Sequence, residues 1–271
     1  MSRRAPLNAL DLTPEESMLT GHDDLVVLQK RKLFQISANT RETYTTNAFL
    51  SDELKHDDFV FDGNVAARAG TRIAQRVDVF AETNLFTSQY AKNHQLSYNG
   101  YGGGVGAATS AGKFQFGLNY SAASVYDSHG FDKHSVTLHT VTLGVSRPYA
   151  VSANAAIVPQ LAVERTMSDP SAYATWTQRA ALLGVYGFTP ELTGSVGTEL
   201  AYRNYDDYFE SVTGEAREDI GVRIAGAVRW QPVNYVQLAA EIGFGANGST
   251  ISSSRYTGFT ASPGVSLNIR F

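Results

Sequence analysis

The chain ends on Ser262-Pro263-Gly264-Val265-Ser266-Leu267-Asn268-Ile269-Arg270-Phe271. Phe259, Ala261, Pro263, Val265, Leu267, Ile269 and Phe271 occupy alternate positions, with Thr260, Ser262, Gly264, Ser266, Asn268 and Arg270 between them. Successive side chains of a strand point to opposite faces, so this segment shows one face to an apolar surrounding and the other to a wet one. One such strand would suit any half-buried sheet. The same zigzag recurs along nearly the whole chain, and that recurrence decides the fold.

From Leu33 onward about twelve alternating segments can be marked. They are expected near 33–47, 59–73, 76–87, 97–109, 113–124, 135–147, 154–166, 173–188, 191–205, 217–230 and 234–247, with the closing stretch as the last. The first carries Phe34, Ile36, Ala38 and Thr40 on one face, and the fifth Phe114, Phe116, Leu118 and Tyr120. The fourth is glycine-rich around Gly102-Gly103-Gly104. The eighth has no clear phase, because Ala180 to Val185 is apolar on both faces. Pro159 cannot donate to a ladder, so a local bulge is expected there.

The connections alternate in length. Short turns fall at Ala74-Gln75, Ser110-Ala111-Gly112, Pro148 to Ser152, Thr189-Pro190 and Gln231 to Asn234. Longer polar links fall at 48–58, 88–96, 125–134, 166–172, 206–216 and 248–255. Short turns on one rim and long loops on the other are the habit of transmembrane barrels. Two belts of amphipathic rings are expected at the headgroup levels. Tyr90, Tyr98, Tyr173, Trp176, Tyr202, Tyr205, Tyr208, Phe209, Tyr256 and Phe259 would form the outer belt. Phe114, Tyr149, Phe188, Trp230, Tyr235 and Phe271 would form the inner one.

Bulk composition agrees. The 271 residues are 43% hydrophobic, yet no run of ~18 apolar residues occurs, which excludes a helical span but not a strand-built one. Twenty-four Gly, 14 Tyr and 14 Phe suit a strand-rich chain with ring belts. A net charge of −4 argues against a nucleic-acid partner. The absence of cysteine fits any compartment. Met1-Ser2-Arg3-Arg4 is not followed by an apolar core, so no secretory signal is legible.

Residues 1–32 read differently, as a helical or flexible leader. Thr13-Pro14-Glu15-Glu16 has a cap, a first-turn proline and first-turn acids. Asp23 to Lys32 has acids at its start and bases at its end, as a helix dipole favours. Residues 1–31 are expected either to lie loosely or to serve as a lumen plug or a contact for a periplasmic partner. The expected fold is therefore all-β: a closed antiparallel transmembrane barrel over 33–271 behind a short helical leader.

The sequence resembles a Gram-negative outer-membrane β-barrel. Gly264, Leu267, Ile269 and the terminal Phe271 match that family's carboxyl-terminal signal, which implies recognition by the barrel-assembly machinery and placement in outer-membrane lipid. Thr45-Thr46-Asn47-Ala48-Phe49-Leu50-Ser51, followed by Asp57-Asp58-Phe59, resembles the opening of type 2 β-barrel porins linked with exopolysaccharide export. A count of about twelve strands is similar to channels for acidic oligosaccharides and to autotransporter translocator domains.

The faces opposite the apolar ones hold Arg68, Arg72, Arg203, Arg223, Arg229 and Arg270, and Asp78, Glu82, Glu164, Glu199 and Glu241. Ionisable residues inside a membrane structure are functional candidates by default, each with a partner expected. They read in two ways. They form a salt-bridged network that fills and stiffens the barrel, or a polar track whose arginines hold the carboxylates of an acidic saccharide through their planar fork of donors. About twelve strands fall between a filled barrel and an open porin, so a narrow, selective pore fits and a wide one does not.

The expected function is accordingly an outer-membrane channel or export conduit for polar oligo- or polysaccharide, acidic ones included. A non-conducting barrel anchoring an envelope complex and an autotransporter-like translocator are the alternatives. No enzymatic activity is expected. His134-Ser135 and His139-Thr140 are the neighbouring pairs that could suggest a hydrolase, but adjacent strand residues point apart. No cofactor or metal is expected, and Gly102-Gly103-Gly104 is not followed by the helix a phosphate loop needs.

Overall fold

The computed structural model describes residues 34–51, 55–74, 76–127, 133–209 and 216–271. The expected leader at 1–32 lies outside the described residues. Among the described residues, twelve long strands and one two-residue strand follow in order: β1 (Phe34–Thr45), β2 (Asp58–Ala74), β3 (Val77–Tyr90), β4 (Tyr98–Ala111), β5 (Phe114–Asp127), β6 (His134–Ser146), β7 (Tyr149–Ala150), β8 (Ala155–Asp169), β9 (Thr175–Gly187), β10 (Leu192–Phe209), β11 (Ala216–Val233), β12 (Val236–Ser249) and β13 (Tyr256–Arg270). Neighbouring strands pair antiparallel. The sheet closes on itself because β1 pairs β13 and β6 pairs β8 past the short β7. Closure leaves no long edge with unpaired backbone groups.

The long strands run from 12 to 18 residues, enough to cross a bilayer at a tilt, which takes about 9–11. The β4–β5 connection is a tight one of two residues: Gly112 adopts φ +60, open to glycine without strain, and Phe114 already begins the next strand. Phe34 and Phe271 meet at the seam on that same rim, where the Phe271 N–H donates to the Phe34 carbonyl at 2.9 Å. Both ends of the barrel therefore lie on the short-turn side.

The faces are inverted relative to a water-soluble barrel. Leu85, Leu118, Leu143, Leu161 and Ile242 point outward and are 53–60% exposed. Asn119, Thr142, Gln160, Thr177, Glu199, Asp219, Arg229 and Asn247 point inward and are buried. Buried polar groups combined with exposed large apolar ones are the informative departure from a soluble fold. The ambiguous eighth segment resolves as β9 with Trp176, Leu182 and Tyr186 outward and Thr177, Arg179, Ala181 and Leu183 inward. Leu183 packs inside with Val158, Ala225 and Ala227, a small apolar patch in the short-turn half of a polar interior.

Two expectations are corrected. Pro159 makes no bulge: it pairs with Leu182 in an unbroken register, and the register across the wall is also kept from Ser146↔Gln160 to Tyr149↔Ile157. The interruption falls on the facing strand instead, at Arg147 and Pro148, because Pro159 has no N–H to give there; its carbonyl accepts from the Arg147 N–H. The outer ring belt is also thinner than expected. Tyr90, Tyr98 and Tyr256 sit opposite Val60, Ser88 and Asn247, whose side chains face inward, and the Tyr205 hydroxyl donates to the inward Asp219 at 3.4 Å, so all four line the lumen. Sequence position near a rim does not distinguish a belt ring from a lumen ring; strand phase does.

Candidate functional site: the barrel lumen

Side chains that face inward at one level come from cross-strand pairs, so the register assembles the lumen. On β8 to β12 it builds a ladder of alternating charge. Arg179 donates to both oxygens of Glu164, at 3.1 and 3.3 Å, and lies 4.0 Å from Glu199. Glu199 stands opposite Arg223, and Arg223 donates to Glu241 at 2.8 Å. Five successive strands thus contribute acid, base, acid, base, acid, with Arg203 also within Coulombic reach of Glu199. Lower in the barrel, Arg229 bridges to the Ser195 hydroxyl at 2.9 Å. Toward the loops, Arg217 clasps Asp219 at 2.7 Å and stacks over Tyr205.

A second charged wall lies on β1 to β3. Arg72 and Asp78 form a two-point fork at 2.6 and 2.9 Å beside the short turn. Arg68 lies 3.7 Å from Glu82, and Arg41 donates to Asp62 at 3.2 Å. Asp62 in turn accepts from the Ser88 hydroxyl at 2.8 Å.

The two walls differ in access to the lumen. The Arg41–Asp62 side chains are 40% and 30% exposed and Glu82 is 33% exposed. On the opposite wall Arg179 and Glu164 are 13% and 17% exposed, and Glu199 is 9% exposed. Arg223, at 38%, is the exception in that ladder. Buried pairs with fixed geometry stiffen a structure, whereas exposed lumenal charges remain available to a passing solute.

Beside the accessible wall, β4 presents almost no side chains to the lumen. Gly100, Gly102, Gly104 and Gly106 occupy its inward positions. Two of them make room for rings from β3. A β-carbon on Gly100 would stand 2.2 Å from Phe86 Cζ, and one on Gly106 would stand 2.3 Å from Phe80 Cζ. The Arg68 guanidinium lies over the Phe80 ring, 3.6 Å from its centroid. Phe86 meets the Tyr98 ring edge-on, with centroids 6.3 Å apart.

All eleven expected lumenal residues lie on the inward face. The structure joins Arg68 to Glu82, Arg72 to Asp78 and Arg223 to Glu241, and brings Glu164 and Glu199 to Arg179. Arg270 lies at the seam, opposite Gln35 in the register. Sequence reasoning missed Arg179, the hub of the ladder, because its strand had no legible phase. Its even spacing from Leu183 and odd spacing from Trp176 was the available signal. Arg41, Asp62, Arg217 and Asp219 were also missed, although Arg41 and Asp62 share the inward phase of Gln35 and Arg68. Phe80 and Phe86 were missed because rings on the wet face defy the alternation rule.

Of the resembled carboxyl-terminal signal, Leu267, Ile269 and Phe271 point outward and exposed, while Gly264 faces in. Outside the spanning strands, Lys92 donates to Asp57 at 2.8 Å; that bond holds the Asp57 carboxyl below its ordinary range and the Lys92 ammonium above. The His139 ring nitrogen lies 2.8 Å from the Tyr120 hydroxyl on the outer face, away from the lumen.

No family model matches the chain, and no curated protein matches it. Among solved structures it is similar to the COG4313 outer membrane channel from Pseudomonas putida F1, with a TM-score of 0.61 at 9% identity, covering 89% of this chain and 97% of that one. It is also similar to the translocator domain of autotransporter NalP from Neisseria meningitidis, with a TM-score of 0.48 at 13% identity over 90% of each chain. The KdgM porin in complex with disordered oligogalacturonate gives a TM-score of 0.46 at 14% identity, covering 85% of this chain and 98% of that one. What the chain shares with the COG4313 channel is the fold, a closed antiparallel barrel.

Proposed function

We propose that this chain is an outer-membrane channel that passes polar solutes, with oligo- or polysaccharides, acidic ones included, as the solute class. The observation that carries the reading is the inverted barrel: apolar side chains 53–60% exposed outside, and ion pairs 20–40% exposed inside along β1 to β3. An apolar outer face favours lipid contact, and a charged, solvent-reaching lumen favours passage of hydrated solutes. Arg41, Arg68 and Arg72 supply donors suited to carboxylates, balanced by Asp62, Glu82 and Asp78. The barrel size suits a narrow pore.

The reading is of a non-catalytic protein: the histidines expected to test a hydrolase, His134 and His139, bond to Thr137 and Tyr120. Reconstitution into planar bilayers tests the channel. Discrete single-channel steps support it, and an assembled barrel that never conducts overturns it.

One observation favours a second reading, a filled barrel that anchors an envelope complex. The ladder of β8 to β12 and the buried Val158 and Leu183 occupy part of the lumen. A silent bilayer record with intact heat-modifiable mobility would favour that role.

A further inference from the structure

The inward row at the loop-side half of the accessible wall is continuous across four strands. Arg41 pairs with Asp62, Asp62 with Ser88, and Ser88 with Tyr98. The first three are joined by hydrogen bonds of 3.2 and 2.8 Å. Phe86 lies two residues along β3 from Ser88 and meets the Tyr98 ring edge-on. It is partly exposed, and it rests over Gly100, where a β-carbon would collide with the ring at 2.2 and 2.4 Å. The tip of the ring therefore reaches across onto β4, over a position that carries no side chain of its own.

The inward face of β3 repeats this interleaving: Asp78, Phe80, Glu82, Asn84, Phe86 and Ser88 set two rings among two acids, an amide and a hydroxyl. A lumen that only conducted ions would gain nothing from apolar plates. A lumen that only packed would cover them. Ring plates beside fixed carboxylate, guanidinium, hydroxyl and amide groups match one ligand class. A pyranose has a flat C–H face and a rim of hydroxyls, so it can stack on a ring while its hydroxyls bond to neighbouring acids and bases.

We infer that Phe86 and Tyr98, with Arg41, Asp62 and Ser88, form a saccharide-binding subsite on the β1–β4 wall of the lumen. This rests on the reading of the lumen as a solute path. The solute then runs off-centre, along β1 to β4, while the buried ladder of β8 to β12 forms the rigid opposite wall. Phe80 differs from Phe86 in carrying the Arg68 guanidinium on its face, so that level meets a solute with a cation and the Phe86 level meets it with a ring.

The test uses a linear α-1,4-glucan hexamer, which is uncharged, as the probe. In bilayers the hexamer should block the ion current of the full chain. Phe86→Ala with Tyr98→Ala should weaken blockade at least tenfold while single-channel conductance rises, because two lumenal rings are gone; a merely misfolded barrel would lose both. Unchanged blockade in the double variant overturns the subsite. A second arm does not need conductance. Phe86→Trp, in a chain with Trp176→Phe and Trp230→Phe, places one indole at the subsite in detergent micelles. Saccharide-dependent emission change supports the subsite even if the barrel proves silent, in which case the channel reading alone falls. A conducting barrel whose Phe86→Trp emission ignores the hexamer overturns the subsite and leaves the channel standing.

Discussion

Gly106 lies directly beneath the Phe80 ring: a β-carbon on the glycine would stand 2.3 Å from Cζ and 2.5 Å from Cε1. The ring supports the Arg68 guanidinium, so one absent methyl group on β4 sets the position of a cation contributed by β2. Gly106→Ala must push the ring off the wall. The expected cost is about 1–3 kcal/mol, measured by urea unfolding in lipid vesicles. Gly106→Ala combined with Phe80→Ala should recover most of it, since the collision partner is removed.

Arg179 is expected to be the most sensitive charge in the barrel. Arg179→Met leaves Glu164 and Glu199 facing each other in a buried site without their shared cation. Removing one partner of a buried ionic group costs about 3–5 kcal/mol. Adding Glu164→Gln and Glu199→Gln to that variant should restore much of the loss in the same unfolding measurement. An Arg179→Met barrel of unchanged stability would show that the ladder is solvated rather than structural.

The accessible wall should govern ion selectivity instead. Arg68→Gln with Arg72→Gln removes two cations and leaves Glu82 and Asp78 uncompensated in the lumen. The reversal potential in a potassium chloride gradient should move toward cation preference. Arg179→Met is expected to move it less, because its side chain is only 13% exposed.

How much of this was legible in the chain follows from what alternation encodes. A period of two reports which face of a strand is apolar, so the twelve segments between Phe34 and Arg270 and the inward set of eleven charges could be read from spacing, while several strands run three or more residues beyond their expected limits. Alternation does not encode register. The partnership of Arg72 with Asp78 was within reach because a two-residue turn fixes it, but Arg41 with Asp62 depends on a long loop and was not. Where both faces are apolar, as from Ala180 to Val185, even the phase is lost, and Arg179 went with it. Gly102-Gly103-Gly104 announced only a weak strand; its inward neighbours Gly100 and Gly106 acquire meaning from rings on β3.

The carboxyl terminus gives a prediction about assembly. Leu267, Ile269 and Phe271 point outward on β13, and the Phe271 N–H closes the seam on Phe34. Deleting Phe271 removes that last bond and the terminal ring. The fraction of chain with heat-modifiable mobility in outer-membrane preparations is expected to fall severalfold, while refolding into detergent should be less affected. Equal losses in both would make the residue structural and not a signal.

The central claim is that the apolar faces meet lipid and the charged faces meet water. These 271 residues include no cysteine, so single thiols can report on each face without background. Glu82→Cys places a thiol on the inward face of β3 and Leu85→Cys places one on its outward face, three residues apart. With the barrel in lipid vesicles, a water-soluble, membrane-impermeant thiol reagent is expected to label Glu82→Cys and spare Leu85→Cys. Labelling of Leu85→Cys together with protection of Glu82→Cys would contradict the account.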